Sequence, residues 1–271
     1  MKVVLFCGGR GLRLREYPEP IPKPMVPLGY RPILWHVMRY FSHFGHREFV
    51  LCLGYKADVI KSYYLKYSEA VSNDFILSQG GKKLELLASD TDDWRITFAD
   101  TGLKANIGMR LRAVRKHVAG EEYFLANYGD TLTDAPLDQF FEEFRRSGKT
   151  AAFLSVKPTY SFHVVRQKQG AIVEAIEDVA TADLWVNGGY FLFRQDIFDY
   201  LQPGEELVME PFQRLIKDEQ LLAFQYSGFW APMDTLKDRE DLEHLWEEGR
   251  PPWAVWLPDD TDDWAGPQER R

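Results

Sequence analysis

Residues 8–27, GGRGLRLREYPEPIPKPMVP, hold the first side chains whose types and spacing could do chemistry. The apolar run Val3-Val4-Leu5-Phe6-Cys7 empties into Gly8, Gly9 and Gly11, the order expected of a buried strand opening into a loop made largely of backbone. Glycine accepts positive φ and lets a ligand approach bare N–H groups. Such donors beside Arg10, Arg13 and Lys23 suit a polyphosphate. An ordinary strand-to-helix turn with solvated arginines is the competing reading. A P-loop is excluded, because no Gly-Lys-Ser/Thr follows at its spacing, and the absence of Gly-x-Gly-x-x-Gly argues against a nicotinamide-type Rossmann site. A second candidate is Asp130, which ends the buried run Phe124-Leu125-Ala126-Asn127-Tyr128-Gly129. An acid there is either a turn or cap residue or a ligand of Mg²⁺, an ion that takes one or two carboxylates and completes its shell with water and phosphate oxygens.

These residues need elements to position them. Residues 32–41 have helical spacing with proline at the start, residues 48–54 read as a buried strand ending at glycine, and residues 57–67 read as a second helix. Strand, helix, strand, helix predicts an α/β fold with a doubly wound, mostly parallel sheet. Ligands in such sheets sit beyond the carboxyl ends of the strands, where Gly8, Gly9, Gly54 and Asp130 fall. Residues 68–110 break the rhythm: residues 75–77, 84–87 and 94–98 are strand-like and separated by polar turns, predicting a small antiparallel β insertion. Asp100-Thr101-Gly102 closes it, and Asn106-Ile107-Gly108-Met109-Arg110 opens a helix. Further on, residues 137–146 and 236–249 read as helices and residues 150–156 and 186–193 as strands. One domain is expected over residues 1–256, followed by an acidic, disordered tail at 257–271.

The chain has 271 residues, 45% hydrophobic and 14% aromatic, ample for a globular core. A net charge of −8 argues against a nucleic-acid partner, which wants a basic face. Cys7 and Cys52 are the only cysteines, both within apolar runs, and read as buried hydrophobes in a reducing compartment. With neither a signal peptide nor a membrane-length apolar run, a cytoplasmic protein without a membrane partner is expected.

The spacing from Gly8-Gly9-Arg10-Gly11-Leu12-Arg13-Leu14 to Lys23-Pro24-Met25 resembles the opening signature of the sugar nucleotidylyltransferases. The insertion, with Trp94 before its last strand and Asp100-Thr101-Gly102 after it, is similar to the glucose-1-phosphate cytidylyltransferase group, as is Trp230-Ala231-Pro232-Met233-Asp234-Thr235. The resemblance covers residues 1–256 and implies a Rossmann-like nucleotidyltransferase fold. It also implies a reaction that transfers CMP from CTP to a sugar 1-phosphate, with release of pyrophosphate. Phe6, Cys7, Gly8, Gly9, Arg10, Gly11, Leu12, Arg13, Lys23, Gly108, Arg110 and Gly129 would bind nucleotide. Asp130 and Asp234 would hold Mg²⁺, and Arg13 and Lys23 would join these two acids as the catalytic set. Asn187-Gly188 would form part of the acceptor wall, and relatives of this kind assemble, so a homo-oligomer is expected.

The chain departs from the family on the nucleotide side and on the acceptor side. The family's Thr is Leu12, its Thr-Gly-Gly-Arg is Ile107-Gly108-Met109-Arg110, its Phe-Gly pair is Phe162-His163, and its Glu-Lys-Pro is Glu177-Asp178-Val179. Replacing a phosphate-gripping lysine by Asp178 turns attraction into repulsion, roughly 4 kcal/mol per pair of charges at about 4 Å and an effective dielectric of about 20. Three explanations stand open: Arg166 or Lys168 takes over the phosphate, the acceptor differs from glucose 1-phosphate, or the chain is a nucleotide-binding, regulatory paralogue impaired in transfer. His163 is either a space-filling residue or a contact to the acceptor.

Overall fold

The structure, a computed structural model, describes residues 1–9, 21–71, 73–89, 91, 93–159, 162–179 and 181–257. Arg10, Gly11, Leu12 and Arg13 of the glycine loop, and the acidic tail from residue 258 onward, lie outside the described residues.

Seven strands build the central sheet: β1 (Lys2–Phe6), β2 (Glu48–Leu53), β3 (Arg95–Asp100), β4 (Tyr123–Asn127), β5 (Ala151–Val156), β6 (Val186–Arg194) and β7 (Leu221–Tyr226). Their spatial order is β7-β5-β6-β4-β1-β2-β3. β1 lies parallel to β2 and β4, β2 to β3, and β5 to β7. Only β6 runs against its neighbours β4 and β5. The helices are α1 (Ile33–His43), α2 (Ala57–Leu65), α3 (Ile107–Ala113), α4 (Leu137–Ser147), α5 (Glu210–Lys217) and α6 (Leu236–Glu247), with a few shorter turns between.

Strands covered on both faces read as continuous apolar runs, since alternate side chains enter opposite layers. β1 does this: Val3 and Leu5 enter one core with α1, α4 and α6, while Val4 and Phe6 enter another with Leu111, Phe198 and Phe212. Among the described residues no helix is long and apolar enough to cross a membrane.

The 68–110 segment divides in two. Phe75–Ser78 and Lys83–Leu86 form the expected antiparallel ribbon. The third run does not belong to that excursion: Arg95–Asp100 is the edge strand β3, parallel to β2 in register Glu48↔Arg95. The physical reason is packing, because Ile96 and Phe98 sit against the main core with Trp94. A second ribbon, His163–Gln167 with Val173–Asp178, lies outside the large sheet, as does a short ladder joining Thr131–Thr133 to Trp230–Pro232.

α1 is anchored by a buried histidine. His36 Nε2 donates to Leu28 O at 3.0 Å, and Trp253 Nε1 donates to His36 Nδ1 at 3.3 Å, which fixes the neutral tautomer. The rings of Trp35, Trp246, Trp253 and Trp256 surround it at centroid distances of 5.2, 5.0, 6.1 and 6.3 Å. Burial, aided by the Arg31 charge and opposed by the Leu28 hydrogen bond, pushes this imidazole down to about 4. A depressed folded-state value means that the unfolded chain binds the proton first as pH falls. The stabilisation is therefore complete above about pH 6.5 and drains away toward pH 4. Between pH 7 and pH 5 His36 alone should cost about 2 kcal/mol of unfolding free energy. Urea titrations of wild type and His36→Gln should show this part of the acid slope vanish in the variant; equal slopes would refute it.

Candidate active site

The carboxyl ends of β1, β2 and β3 are tied together by one side chain. Arg110, on the first turn of α3, is 3% exposed. Its Nη1 donates to Leu53 O (3.1 Å) and Thr101 Oγ1 (2.7 Å), and its Nη2 donates to Gly8 O (2.9 Å). All three hydrogen-bond acceptors are neutral oxygens, two of them backbone carbonyls. Gly8 has no side chain for a steric reason: a Cβ there would lie 2.0 Å from Arg110 Nη1. α3 is positioned by Asn106, whose Oδ1 accepts from Met109 N (2.9 Å) while its Nδ2 donates to Gly204 O (3.0 Å). Gly108 permits the close approach of Glu205 O, 2.4 Å from where a Cβ would stand.

Two acids far apart in sequence meet at the same edge. Asn127 at the end of β4 accepts from Gly129 N (2.6 Å) and donates to Thr131 Oγ1 (3.1 Å), shaping a tight turn that carries Asp130, with Gly129 at φ +79°. The ladder then pairs Thr131 with Pro232, and Met233 N donates to Asp130 O at 3.0 Å, so Asp234 emerges beside Asp130. Asp234 also precedes α6, where Thr235 and Asp238 form a reciprocal capping box and Asp238 accepts from the Asp234 N–H at 2.9 Å. The Lys23 ammonium sits between the acids, 2.6 Å from Asp130 Oδ2 and hydrogen-bonded to Asp234 Oδ1. Burial opposes the lysine's charge, yet the two carboxylates outweigh it and raise its pKa. Burial raises the Asp130 pKa, the neighbouring Asp234 adds to the rise, and Lys23 offsets it only in part. Two carboxylates against one ammonium leave a net charge of −1, and both acids point at a common cation position. No group of three or more His, Cys, Asp or Glu forms a metal cluster among the described residues. This donor set fits a hard divalent ion completed by water and substrate oxygens, and not a fully protein-caged one.

These elements border a cleft of about 510 Å³ lined by Phe6, Gly9, Asn106, Arg110, Tyr128, Asp130, Asn187, Glu206, Trp230 and Asp234, among others. Of the residues singled out from sequence, Phe6, Gly9, Arg110, Asp130, Asn187 and Asp234 reach this cleft. Cys7 is fully buried beneath it, Gly129 shapes the turn, and Gly188 lies under Trp230, whose Nε1 donates to Gly188 O at 2.8 Å. The second ribbon is a different matter: His163 stands opposite Asp178 and Val164 opposite Glu177, and none of these lines the cleft. Arg166 is paired with Glu177 at 2.9 Å and Lys168 with Glu174 at 3.2 Å, both in solvent, where such pairs are weak. Sequence reasoning missed Tyr128, Asn106, Glu206 and Trp230. Tyr128 had a readable signal, its place one residue before Gly129-Asp130, whereas Glu206 had none.

Comparison with known proteins supplies a family for this arrangement. A model of the nucleotidyl transferase family matches residues 2–239. The chain belongs to the nucleotidyl transferase family. Among curated relatives, a glucose-1-phosphate cytidylyltransferase of Salmonella typhimurium is 35% identical over 257 residues, covering 94% of this chain and 100% of the relative. A probable glucose-1-phosphate cytidylyltransferase of Bacillus subtilis is 32% identical over 258 residues, with the same coverage. A crystal structure of a putative glucose-1-phosphate thymidylyltransferase from Bacillus anthracis superposes with a TM-score of 0.61 at 19% identity, covering 90% of this chain and 94% of that one, which shows the shared fold.

In this nucleotidyl transferase the Arg110 pin should be worth measuring as stability. Arg110→Met strips a charged donor from Gly8 O, Leu53 O and Thr101 Oγ1, so about 2–3 kcal/mol should be lost. A urea midpoint change equivalent to less than about 0.5 kcal/mol would mean that the pin holds nothing together.

Proposed function

We propose that this nucleotidyl transferase moves CMP from CTP to a sugar 1-phosphate or a related phosphorylated acceptor other than plain glucose 1-phosphate, in the cytoplasm. The observation that carries this reading is the convergence of Lys23, Asp130 and Asp234 at the sheet edge, beside the Gly8–Gly9 backbone. The full-length likeness to proteins named glucose-1-phosphate cytidylyltransferase supports the choice of base.

An acceptor phosphate oxygen attacks the α-phosphorus of CTP, a new P–O bond forms, and the α–β bridging P–O bond breaks to release pyrophosphate. The acceptor is already an oxyanion, so no protein nucleophile is needed and catalysis is positioning plus charge neutralisation. The loop amides from Gly8 to Gly11 would cradle the triphosphate, and Arg13 would hold the departing β,γ-phosphates. Lys23 would neutralise charge growing at the α-phosphate. Asp130 and Asp234 would hold Mg²⁺, which would supply charge neutralisation to the reacting phosphates. Asp234→Asn should lower kcat at least about 100-fold with an unchanged melting temperature. Pyrophosphate release measured with each of the four ribonucleoside triphosphates and a panel of phosphorylated acceptors checks both base and acceptor; activity confined to another triphosphate, or near-normal turnover in the variant, would overturn the reading. A second reading, nucleotide binding without transfer, is favoured by Asp178 and by the pairing of Arg166 and Lys168 within their own ribbon. It predicts CTP binding with silence across the panel.

We also propose a homo-oligomer. In the first ribbon Phe75 faces Leu86 and Leu77 faces Leu84, which puts four apolar side chains, 37–58% exposed, on one face. The second ribbon sets Val165 opposite Ile176, 49% and 64% exposed. Contiguous apolar surface of this kind marks an interaction site. The occupant proposed for these faces is a second copy of the chain. Leu77→Lys should convert the assembly to monomer in light scattering, with the melting curve retained in form; a monomeric wild type would dismiss the idea.

A further inference from the structure

α2 turns one face toward a second cavity. Asp58, Ser62 and Lys66 recur at four-residue spacing with Tyr63 beside them, so one face of the helix and its end carries all four. Opposite stands the hairpin that pairs Leu28 with Arg31, turning at Gly29 and Tyr30. That turn is wedged on α6: a Cβ at Gly29 would lie 2.3 Å from Trp246 Nε1, and Gly29 N donates to Glu243 Oε1 at 3.1 Å. The cavity between these walls is about 590 Å³, in the range of small-molecule sites. Among the described residues it shares no lining residue with the cleft of the candidate active site.

Three tyrosines and two cations line it. The Arg31 guanidinium lies 4.4 Å from the Tyr67 ring centroid and 5.6 Å from that of Tyr30, and its Nη1 donates to Tyr63 Oη at 3.5 Å. Tyr63 meets Tyr67 edge to face at 5.6 Å. Against Arg31 and Lys66 stands one carboxylate, Asp58, so the lining is net positive in a chain of charge −8. Each feature specifies part of a ligand. Flat ring faces beside a guanidinium call for a planar ring. Surplus positive charge calls for an anion, and a carboxylate, which only accepts, calls for hydroxyl or amino donors. A sugar phosphate lacks the ring and a simple aromatic carboxylate lacks the donors. A nucleoside phosphate has all three.

We infer that the cavity between α2 and the Leu28–Arg31 hairpin is a second nucleotide site, seating a nucleoside monophosphate with its base on the tyrosines, its phosphate at Lys66 and its ribose hydroxyls at Asp58. The site is independent of the base and acceptor proposed for the cleft. Its walls nevertheless adjoin the ion cluster: Met25 ends the turn that Lys23 begins, and Tyr30 packs 5.7 Å from Trp246, on the helix that Asp234 precedes.

AMP is the probe, because stacking tolerates any base and the cytidine reading gives the cleft no use for adenine. Calorimetry on the full chain should find AMP bound at least about 10-fold more tightly than adenosine, which lacks the anion, or ribose 5-phosphate, which lacks the ring. Lys66→Glu should abolish the advantage over adenosine, and Tyr67→Leu the advantage over ribose 5-phosphate. Asp234→Asn should leave AMP affinity intact. Photolabelling with 8-azido-AMP should mark peptides from residues 21–31 or 58–68. Should Tyr67→Leu fail to fold, having lost the ring under Arg31, Lys66→Glu at the end of α2 still decides the matter. Absence of AMP binding at millimolar concentration, affinity indifferent to Lys66→Glu, or label confined to residues 105–110 and 128–131 of the cleft overturns the inference.

Discussion

One ammonium joins three segments that the chain keeps more than a hundred residues apart. Lys23 follows the glycine loop, Asp130 follows β4 and Asp234 precedes α6, and the three meet in one partly buried ion cluster. The arrangement holds because the backbone around each is independently braced. Lys23 begins a short helical turn fixed by Met25 N to Pro22 O, at 2.8 Å. Asp130 is bracketed by Asn127, and Asp234 by the Thr235–Asp238 capping box. Carboxylates this close repel unless a cation sits between them. Lys23 meets that need with one charge for two, so the cluster is electrostatically unsaturated and favours additional positive charge.

Much of this frame was legible in the residues. Apolar runs ending at Gly8, Gly54 and Asp130 do mark the carboxyl edge of a parallel sheet, because strands buried on both faces need uninterrupted hydrophobes and the chain must then turn at the ligand-facing end. Helices α1, α4 and α6 announced themselves by 3.6-residue periodicity. The run at residues 94–98 was misplaced because an isolated ribbon strand and a half-covered edge strand show the same alternation; only tertiary packing of Ile96 and Phe98 separates them. α5 is hard to read because the polar character of Glu210, Gln213, Arg214 and Lys217 hides the buried stripe of Phe212 and Leu215.

The acceptor side was less legible, for a physical reason. Matching the spacing of Phe162, Gly170 and Glu177 to a family pattern locates a ribbon but not the direction its side chains face. In the structure the ribbon satisfies its own charges, Arg166 with Glu177 and Lys168 with Glu174. The cleft is lined by Asn187, which the sequence does mark, together with Tyr128, Glu206 and Trp230, which it does not. Three of these follow local backbone features, while Glu206 is brought in by the packing of residues 205–207 on Gly108, a contact spanning about a third of the chain.

The aromatic enclosure of His36 has a consequence for how the molecule comes into being. Trp253 donates to His36, His36 donates to Leu28 O, and the strand bearing Leu28 begins a few residues beyond Lys23. Synthesis proceeds from the amino end, and folding normally follows in the same direction. Here, however, the segment that leads into the site is buttressed by a residue made more than two hundred positions later. A nascent chain that has already formed β1 and β2 must hold the apolar face of α1 open until Trp253 clears the ribosome.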